Sequence, residues 1–286
     1  MGIGKTNVGG GGKAFAFIVV TYPSGSTCTC TDGTKVLKAK GTTGSFVFNI
    51  PYAGTWTVSC TDGTDTATED IVISTKGQSE SVDLSYRVPS IYQTVEYIEP
   101  TGTQYIGNAL PNGGAFRAEV GIEIMSNANA IIFGRTDNND PYSKVLLDTN
   151  YVSLNVLAAR VGTDTPAMIG VYSTGYKEIT LSFGITGVPN KLTIDEESAD
   201  LISGTLTQCQ NGAAIFALKY GSGYYSGNAV GLRLHYLKWY DSENTLIREL
   251  IPVYRKSDNV AGLWDVVNKV FYTNNGTGSF IVGGNI

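Results

Sequence analysis

Three tyrosines, Tyr220, Tyr224 and Tyr225, lie within six residues in a glycine-containing stretch that ends at Asn228. A tyrosine offers an apolar ring together with a hydroxyl, so it can stack on a sugar ring or contact another protein. The glycines indicate a flexible loop. Two interpretations follow: the rings pack on their own domain, or the loop binds a ligand. If a glycan binds, these four residues are the candidate binding residues.

A second stretch could hold a cation. Asp137, Asn139 and Asp140 supply the oxygen ligands that Ca²⁺ prefers, although their spacing is not that of an EF-hand. Asp and Asn also favour turns, and a turn is the simpler expectation here. Ca²⁺ at these three residues is the one cofactor that the sequence leaves open. The acidic group at 195–197 with Asp200 is expected to form an exposed hairpin turn.

The histidine and cysteine content limits the chemistry open to the chain. His235 is the single histidine, so any Ser-His-Asp or Cys-His arrangement would have to use it, and a zinc site would need more ligands. The four cysteines, Cys28, Cys30, Cys60 and Cys209, are too few for a disulfide scaffold. A bond from Cys28 or Cys30 to Cys60 is geometrically possible, but we expect free buried thiols.

Charge and hydropathy exclude two classes of partner. The formal net charge is −5, only 16% of the residues are charged, and no run of Lys or Arg occurs. The electrostatic footprint of nucleic-acid binding is therefore missing. No stretch of about 18 apolar residues appears, so we expect no membrane span. The first 20 residues lack a small-residue cleavage site, and we expect no signal peptide and synthesis in a cytoplasm.

The elements that must position these residues are β-strands. Short apolar runs separated by turn residues fill the chain, which contains 35 Gly and 17 Tyr. Residues 1–12 are glycine-rich and are predicted to form an arm. Residues 13–86 are predicted to form one small sandwich, with strands over 15–22, 26–31, 35–39, 45–50, 55–60, 66–73 and 81–86. Residues 87–96 are predicted to form a linker.

Residues 97–286 are predicted to form one large antiparallel sandwich or jelly roll. The run 116–125 alternates with a period of two, which places Phe116 and Ile124 on a buried face and Glu119 and Glu123 on the opposite face. Seven further strands are predicted over 130–135, 144–148, 151–157, 178–183, 191–194, 213–218 and 232–240. We expect all three tryptophans to lie in the core: Trp56, Trp239 and Trp264.

Two resemblances cover nearly the whole chain. VTYPSGSTC at 20–28, IPYAGTWTV at 50–58 and KGQSESVDLSY at 76–86 resemble an immunoglobulin-like module of phage and prophage proteins from Gram-positive gut bacteria. VEYIEPTGTQYI at 95–106, LIPVYRKSD at 250–258, GLWD at 262–265 and GTGSF at 276–280 resemble the concanavalin A-like, laminin-G-like domain of the same proteins. The resemblance implies an all-β chain: a small immunoglobulin-like β-sandwich, then a concanavalin A-like jelly-roll sandwich.

The resemblance also implies a context, which is a bacteriophage virion structural protein made in the host cytoplasm. A head fibre, a tail fibre and a baseplate appendage are all open. The arm and first domain would bind other virion proteins, and the second domain would bind a host surface glycan or another subunit. Virion appendages lie on symmetric platforms, so we expect a homo-oligomer, with a trimer as the first candidate. A purely architectural decoration protein without a ligand is the alternative.

A polysaccharide depolymerase is the enzymatic alternative, and the sequence argues against it. Glycosidases of the laminarinase type, on the concanavalin A-like fold, carry Glu, Asp and Glu at alternating strand positions, and two of these perform the hydrolysis. Here Glu119 and Glu123 are present, but Gly121 occupies the middle position. Without that Asp the proton exchange of the pair is compromised. We expect two solvent-facing glutamates, no catalytic residue and no enzyme activity.

Overall fold

The computed structural model describes residues 14–286 except 23–24, 40–43, 62–65, 85–87, 90, 113, 127, 138–139, 150–155, 171–172, 202–205, 207–211, 222 and 227–228. The predicted arm, Asn139, Cys209 and Asn228 lie outside the described residues. Within the described residues all regular structure is β, with 25 strands and no helix. The predicted all-β fold is confirmed. The chain divides into two compact units, residues 1–90 and 91–286.

Where the structure describes it, the first unit contains two sheets around one core. The strand order is β4-β1-β7 in one sheet and β3-β2-β5-β6 in the other. Ile18 from the first sheet and Trp56 from the second belong to the same buried cluster, so the sheets pack face to face. The strands are β1 (Ala16–Thr21), β2 (Thr27–Thr31), β3 (Val36–Lys38), β4 (Ser45–Ile50), β5 (Gly54–Thr61), β6 (Thr66–Ile73) and β7 (Ser79–Asp83).

The expectation of free thiols is wrong for Cys28 and Cys60, which form a disulfide. The two residues lie directly opposite each other in the antiparallel β2–β5 pair, with a Cα–Cα distance of 4.1 Å. Such a cross-strand position brings two side chains close enough to bond. The expectation is confirmed for Cys30, which is free and buried. Burial, and then the charge of Asp32, raises the pKa of the Cys30 thiol to about 12.

The described part of the second unit contains 18 strands. They are β8 (Tyr92–Thr94), β9 (Ile98–Glu99), β10 (Phe116–Ile124), β11 (Ala130–Asp137), β12 (Asp140–Thr149), β13 (Val156–Val161), β14 (Ala167–Gly170), β15 (Gly175–Phe183), β16 (Lys191–Ile194), β17 (Glu197–Asp200), β18 (Ala214–Ile215), β19 (Ala217–Tyr220), β20 (Gly223–Ser226), β21 (Leu232–Tyr240), β22 (Leu246–Arg255), β23 (Val260–Asp265), β24 (Val270–Thr273) and β25 (Ile281–Val282).

These strands form two sheets. The larger has the order β17-β16-β15-β10-β21-β22-β23-β24, with β8, β9 and β25 beside that path. The smaller has the order β14-β13-β12-β11-β19-β20, with β18 beside β11. Phe133 of the smaller sheet meets Trp239 of the larger at 5.7 Å between ring centroids, so the two sheets share one core. This arrangement agrees with the predicted jelly-roll sandwich.

Two predicted boundaries differ from the structure. The stretch 87–96, predicted to form a linker, contains β8, which pairs with β22 and so belongs to the second unit. The predicted strand 213–218 is divided into β18 and β19 at Phe216, whose φ is 62°. A positive φ is outside the extended region, so the strand cannot continue through that residue.

The core of the second unit follows the predicted alternation of β10. Phe116 and Ile124 at its ends are fully buried, as are the alternate residues between them. Trp239 stacks on Phe116 with 4.4 Å between ring centroids. Trp56, Trp239 and Trp264 are all buried, so the prediction that they are core residues is confirmed. In the described residues no helix is long and apolar enough to cross a membrane.

Candidate functional site

A groove lies on the outer face of the smaller sheet of the second unit. Its volume is about 670 Å³. We call it the tyrosine groove, and it is lined by residues of β11, β12, β13, β19 and β20 and of the turn after β13. These residues are Ile131, Lys144, Leu146, Arg160, Asp164, Leu218, Tyr220, Gly223, Tyr224 and Tyr225.

The alternation of β12 separates the groove from the core. Val145 and Leu147 belong to the core cluster, so Lys144, Leu146 and Asp148 lie on the opposite, outer face. The neighbouring strands continue this face in register, with Arg160 of β13 opposite Leu146.

An apolar floor forms around Gly134 of β11. Gly134 pairs with Leu146 on one side and with Leu218 on the other. A Cβ atom at Gly134 would lie 2.8 Å from Leu146 Cδ1 and 3.0 Å from Leu218 Cδ1. Because the glycine has no side chain, the two leucines can approach each other above it. Together with Ile131 they make the floor apolar.

Tyr220 and Tyr225 form one wall of the groove. The stretch that the sequence predicts to be a flexible loop is a β-hairpin, in which β19 and β20 pair Tyr220 with Gly223 and Leu218 with Tyr225. The prediction of a loop is wrong because the glycines at its tip serve a tight turn between two strands. Tyr220 is 38% exposed and Tyr225 is 58% exposed. Both rings are therefore accessible beside the floor.

Tyr224 has a different role from its neighbour. Its ring packs against Tyr105 at 4.5 Å between centroids, and Lys219 Nζ lies 4.1 Å from the centre of the Tyr224 ring. The Tyr224 hydroxyl also approaches Gly107, where a Cβ atom would lie only 2.7 Å away. Consecutive strand residues point to opposite faces, so Tyr224 packs on its own domain while Tyr225 faces the groove.

Two ion pairs lie at the opposite side of the groove, where Lys144, Arg160 and Asp164 line it. Arg160 Nη1 donates to Asp148 Oδ2 at 2.5 Å, and both side chains are almost fully buried. Lys144 Nζ donates to Asp164, whose side chain is 65% exposed at the rim. None of these four residues is predicted from the sequence to belong to a site. The one available signal is in β12, where a lysine and an aspartate alternate with buried aliphatic residues.

The two candidate catalytic glutamates lie on the outer face of the larger sheet, away from the groove. Glu119 accepts from Arg117 and from the Tyr240 hydroxyl, the latter at 3.0 Å. Glu123 accepts from Arg233 Nη1 at 3.1 Å. Both carboxylates thus have cationic partners.

The space between these glutamates is filled by tyrosine side chains. A Cβ atom at Gly121 would lie 2.5 Å from Tyr236 Cε1 and 2.6 Å from the Tyr176 hydroxyl. Both tyrosine hydroxyls donate to Glu178, and burial followed by this hydrogen bond raises the pKa of each tyrosine. Gly121 therefore makes room for two rings.

His235 lies on the same face as the glutamates. Its ring meets Tyr97 at 5.7 Å and Tyr176 at 5.1 Å between centroids, edge to face in both cases. Burial lowers the pKa of His235, although the nearby Glu123 carboxylate acts in the opposite direction. The ring packs among aromatic neighbours.

The predicted calcium stretch lies at the connection between β11 and β12, where Asp137 pairs with Asp140. The Asp137 backbone N–H donates to Ser143 Oγ at 2.7 Å. Asn139 is outside the described residues, so Ca²⁺ binding at Asp137, Asn139 and Asp140 stays a prediction. Among the residues that the structure describes, no group of three His, Cys, Asp or Glu side chains comes together to hold a metal ion.

Asp195 and Glu196 form the hairpin turn between β16 and β17, as predicted, and Glu197 is the first residue of β17. Asp195 has a φ of 51°, and its Oδ2 accepts from Lys177 Nζ at 2.9 Å. This hydrogen bond lowers the pKa of Asp195.

No protein-family model matches the chain, and no curated protein matches its sequence. The chain is similar to the crystal structure of a Bacteroides ovatus protein provisionally assigned as carbohydrate-binding, with 9% identity, 94% of this chain and 93% of that chain covered, and a TM-score of 0.45. A Bacteroides uniformis protein with the same provisional assignment has 9% identity, 94% and 98% coverage, and a TM-score of 0.20. Both likenesses are too weak to carry an argument about this chain.

Proposed function

We propose that the second unit binds a glycan in the tyrosine groove. The observation that carries this proposal is the pair of exposed rings, Tyr220 and Tyr225, beside an apolar floor. Sugar rings present apolar C–H faces and a rim of hydroxyls. The tyrosine rings and the floor suit the C–H faces, and the tyrosine hydroxyls, Lys144 and Asp164 suit the hydroxyls.

The dimensions of the groove favour a sugar chain over a single sugar. The lining residues come from five adjacent strands in the order β13-β12-β11-β19-β20. Neighbouring strands are about 4.8 Å apart, so the groove extends roughly 19 Å across the sheet. A saccharide of several units can lie along that length, with one end near Tyr225 and the other near Arg160.

We propose in addition that the protein is a structural component of a bacteriophage virion, present there as a homo-oligomer, with a trimer as the first candidate. The resemblance of both units to phage and prophage proteins supports this role. The first unit and the arm would bind other virion proteins, and the second unit would bind the host surface. Antibodies to the chain should label purified phage particles at one position in electron micrographs. Particles that carry no label would contradict the virion role.

We propose binding without hydrolysis. Glu119 and Glu123 are held by Arg117, Tyr240 and Arg233, and the space between them is occupied by Tyr176 and Tyr236. Two carboxylates act on a glycosidic bond only when the bond can lie between them. Incubation with host cell walls should release no reducing sugar above the level of a Glu119→Gln, Glu123→Gln control.

Many copies on one particle would give tight attachment from weak single sites. The contacts in a small open groove release little free energy compared with the entropic cost of association. One copy should therefore bind cells poorly. We expect beads that carry many copies to bind Gram-positive gut bacteria at least about a hundredfold better than the soluble chain, through avidity. Bead binding to each strain should be measured before and after periodate oxidation of the cell surface. Binding that survives oxidation would contradict glycan recognition.

A further inference from the structure

We infer that the tyrosine groove selects uncharged glycans and that Asp164 enforces this selectivity by neutralising Lys144. The inference rests on the proposed glycan binding and adds the class of glycan. It makes Asp164 a residue that determines specificity.

The charges of the groove cancel. Its described lining contains two cations, Lys144 and Arg160, and one anion, Asp164. Lys144 forms an ion pair with Asp164, and Arg160 forms one with the buried Asp148. Arg160 is held at 2.5 Å by Asp148, whose side chain is completely buried. An anionic ligand could attract Arg160 only by competing with a carboxylate that cannot move into solvent.

Lys144 is the only one of these cations with an exposed partner. The Asp164 side chain is 65% exposed and that of Lys144 is 20% exposed. A uronate or phosphate group approaching Lys144 would therefore come close to the Asp164 carboxylate first. The two negative charges would repel each other. The overall charge of −5 adds a weaker repulsion of any polyanion.

The floor adds a second selection against charge. Ile131, Leu146 and Leu218 offer no hydrogen bond to a carboxylate or phosphate. An ionised group placed over them would lose water without gaining a partner, which is costly. The C–H face of a neutral sugar has no strongly bound water to lose. Its contact with the floor joins two apolar surfaces, which is favourable in water.

The inference is tested on an array of immobilised polymers. The uncharged set contains dextran, mannan, rhamnan and oligomers of N-acetylglucosamine. The acidic set contains polygalacturonate, hyaluronan and ribitol-phosphate teichoic acid. The full chain is displayed on beads as wild type, as Asp164→Asn, and as Asp195→Asn. Asp195 is the matched control, because it also pairs with a lysine at an exposed turn but lies outside the groove.

The wild type and Asp195→Asn should bind members of the uncharged set and none of the acidic set. Because Asp164 itself lines the groove, Asp164→Asn is expected to lose some affinity for uncharged polymers as well. The measured quantity is therefore the ratio of binding to acidic polymers over binding to uncharged polymers. This ratio should rise above the wild-type ratio by about two- to fivefold for each site, and 0.5 M salt should abolish the rise.

Two results would overturn the inference in different ways. Wild-type binding to the acidic set in preference to the uncharged set would refute it while leaving glycan binding intact. An Asp164→Asn variant that is folded by circular dichroism and shows no rise in this ratio would refute the role of Asp164. Wild-type beads that bind neither set would refute the proposed function, and the inference with it.

Discussion

Replacing Asp148 with alanine should lower the free energy of unfolding of the second unit by about 3–5 kcal/mol. Asp148 is completely buried and its Oδ2 accepts a 2.5 Å hydrogen bond from Arg160, which is itself 5% exposed. Removing the aspartate leaves a buried guanidinium without this counter-ion. A buried charge that has lost its counter-ion destabilises the folded state by more than the intact ion pair stabilises it. Urea unfolding of a Trp56→Phe background, followed by tryptophan fluorescence, reports the second unit through Trp239 and Trp264.

The control for this prediction is Asp164→Ala. Asp164 also forms an ion pair at the groove, but its side chain is mostly exposed. Water screens an exposed pair, so this substitution should change the free energy of unfolding by no more than about 1 kcal/mol. Equal effects of the two substitutions would show that the Arg160–Asp148 pair is not buried as described.

Replacing Tyr225 with alanine should weaken the affinity for a host wall oligosaccharide about tenfold without changing stability. Tyr225 is 58% exposed and faces the groove. Its ring would provide a surface on which the sugar stacks, so removing the ring removes that contact. Because the ring is already exposed, its removal uncovers little buried surface. Tyr225→Phe should retain most of the affinity, because the ring is kept. Calorimetric titration with oligosaccharides released from host walls measures both effects.

Tyr224→Ala is the matched comparison and should behave in the opposite way. Tyr224 packs on Tyr105 and Gly107, so its truncation should cost about 1–3 kcal/mol of stability. The oligosaccharide affinity of folded Tyr224→Ala should differ from that of the wild type by less than the affinity of Tyr225→Ala does. If Tyr225→Ala binds like wild type while Tyr224→Ala loses binding at full stability, the groove is not where the glycan lies.

The strands and the core of the protein could be predicted from local pattern. Alternation along 116–125 identified the buried face of β10, and the apolar surroundings of Trp56, Trp239 and Trp264 indicated core positions. These features depend on residues close together in sequence, where the period of the strand is directly visible.

The pairing between strands could not be predicted in this way. Cys28 and Cys60 are 32 residues apart, and only the register of β2 against β5 places them opposite each other. The Arg160–Asp148 pair depends in the same way on the register of β13 against β12. A shift of one residue would move each side chain to the other face, and one sequence does not specify which register is formed.

The sequence singles out the tyrosine-rich stretch, and the structure puts Tyr220 and Tyr225 at a groove. Glycan binding by these residues stays a prediction. Because the glycines suggested a loop, the sequence did not separate Tyr224 from Tyr225. Treating 217–226 as a hairpin would have placed adjacent tyrosines on opposite faces.

The most direct test of glycan binding in the tyrosine groove is hydroxyl-radical footprinting of the full chain, with and without oligosaccharides released from host cell walls. Tyr176, which is 47% exposed on the larger sheet, serves as an internal control for Tyr225 and Tyr220. The proposal predicts that the oligosaccharide protects Tyr225 and Tyr220 from oxidation and leaves Tyr176 unchanged. Protection of Tyr176 with Tyr225 and Tyr220 still oxidised at their original rates would contradict it.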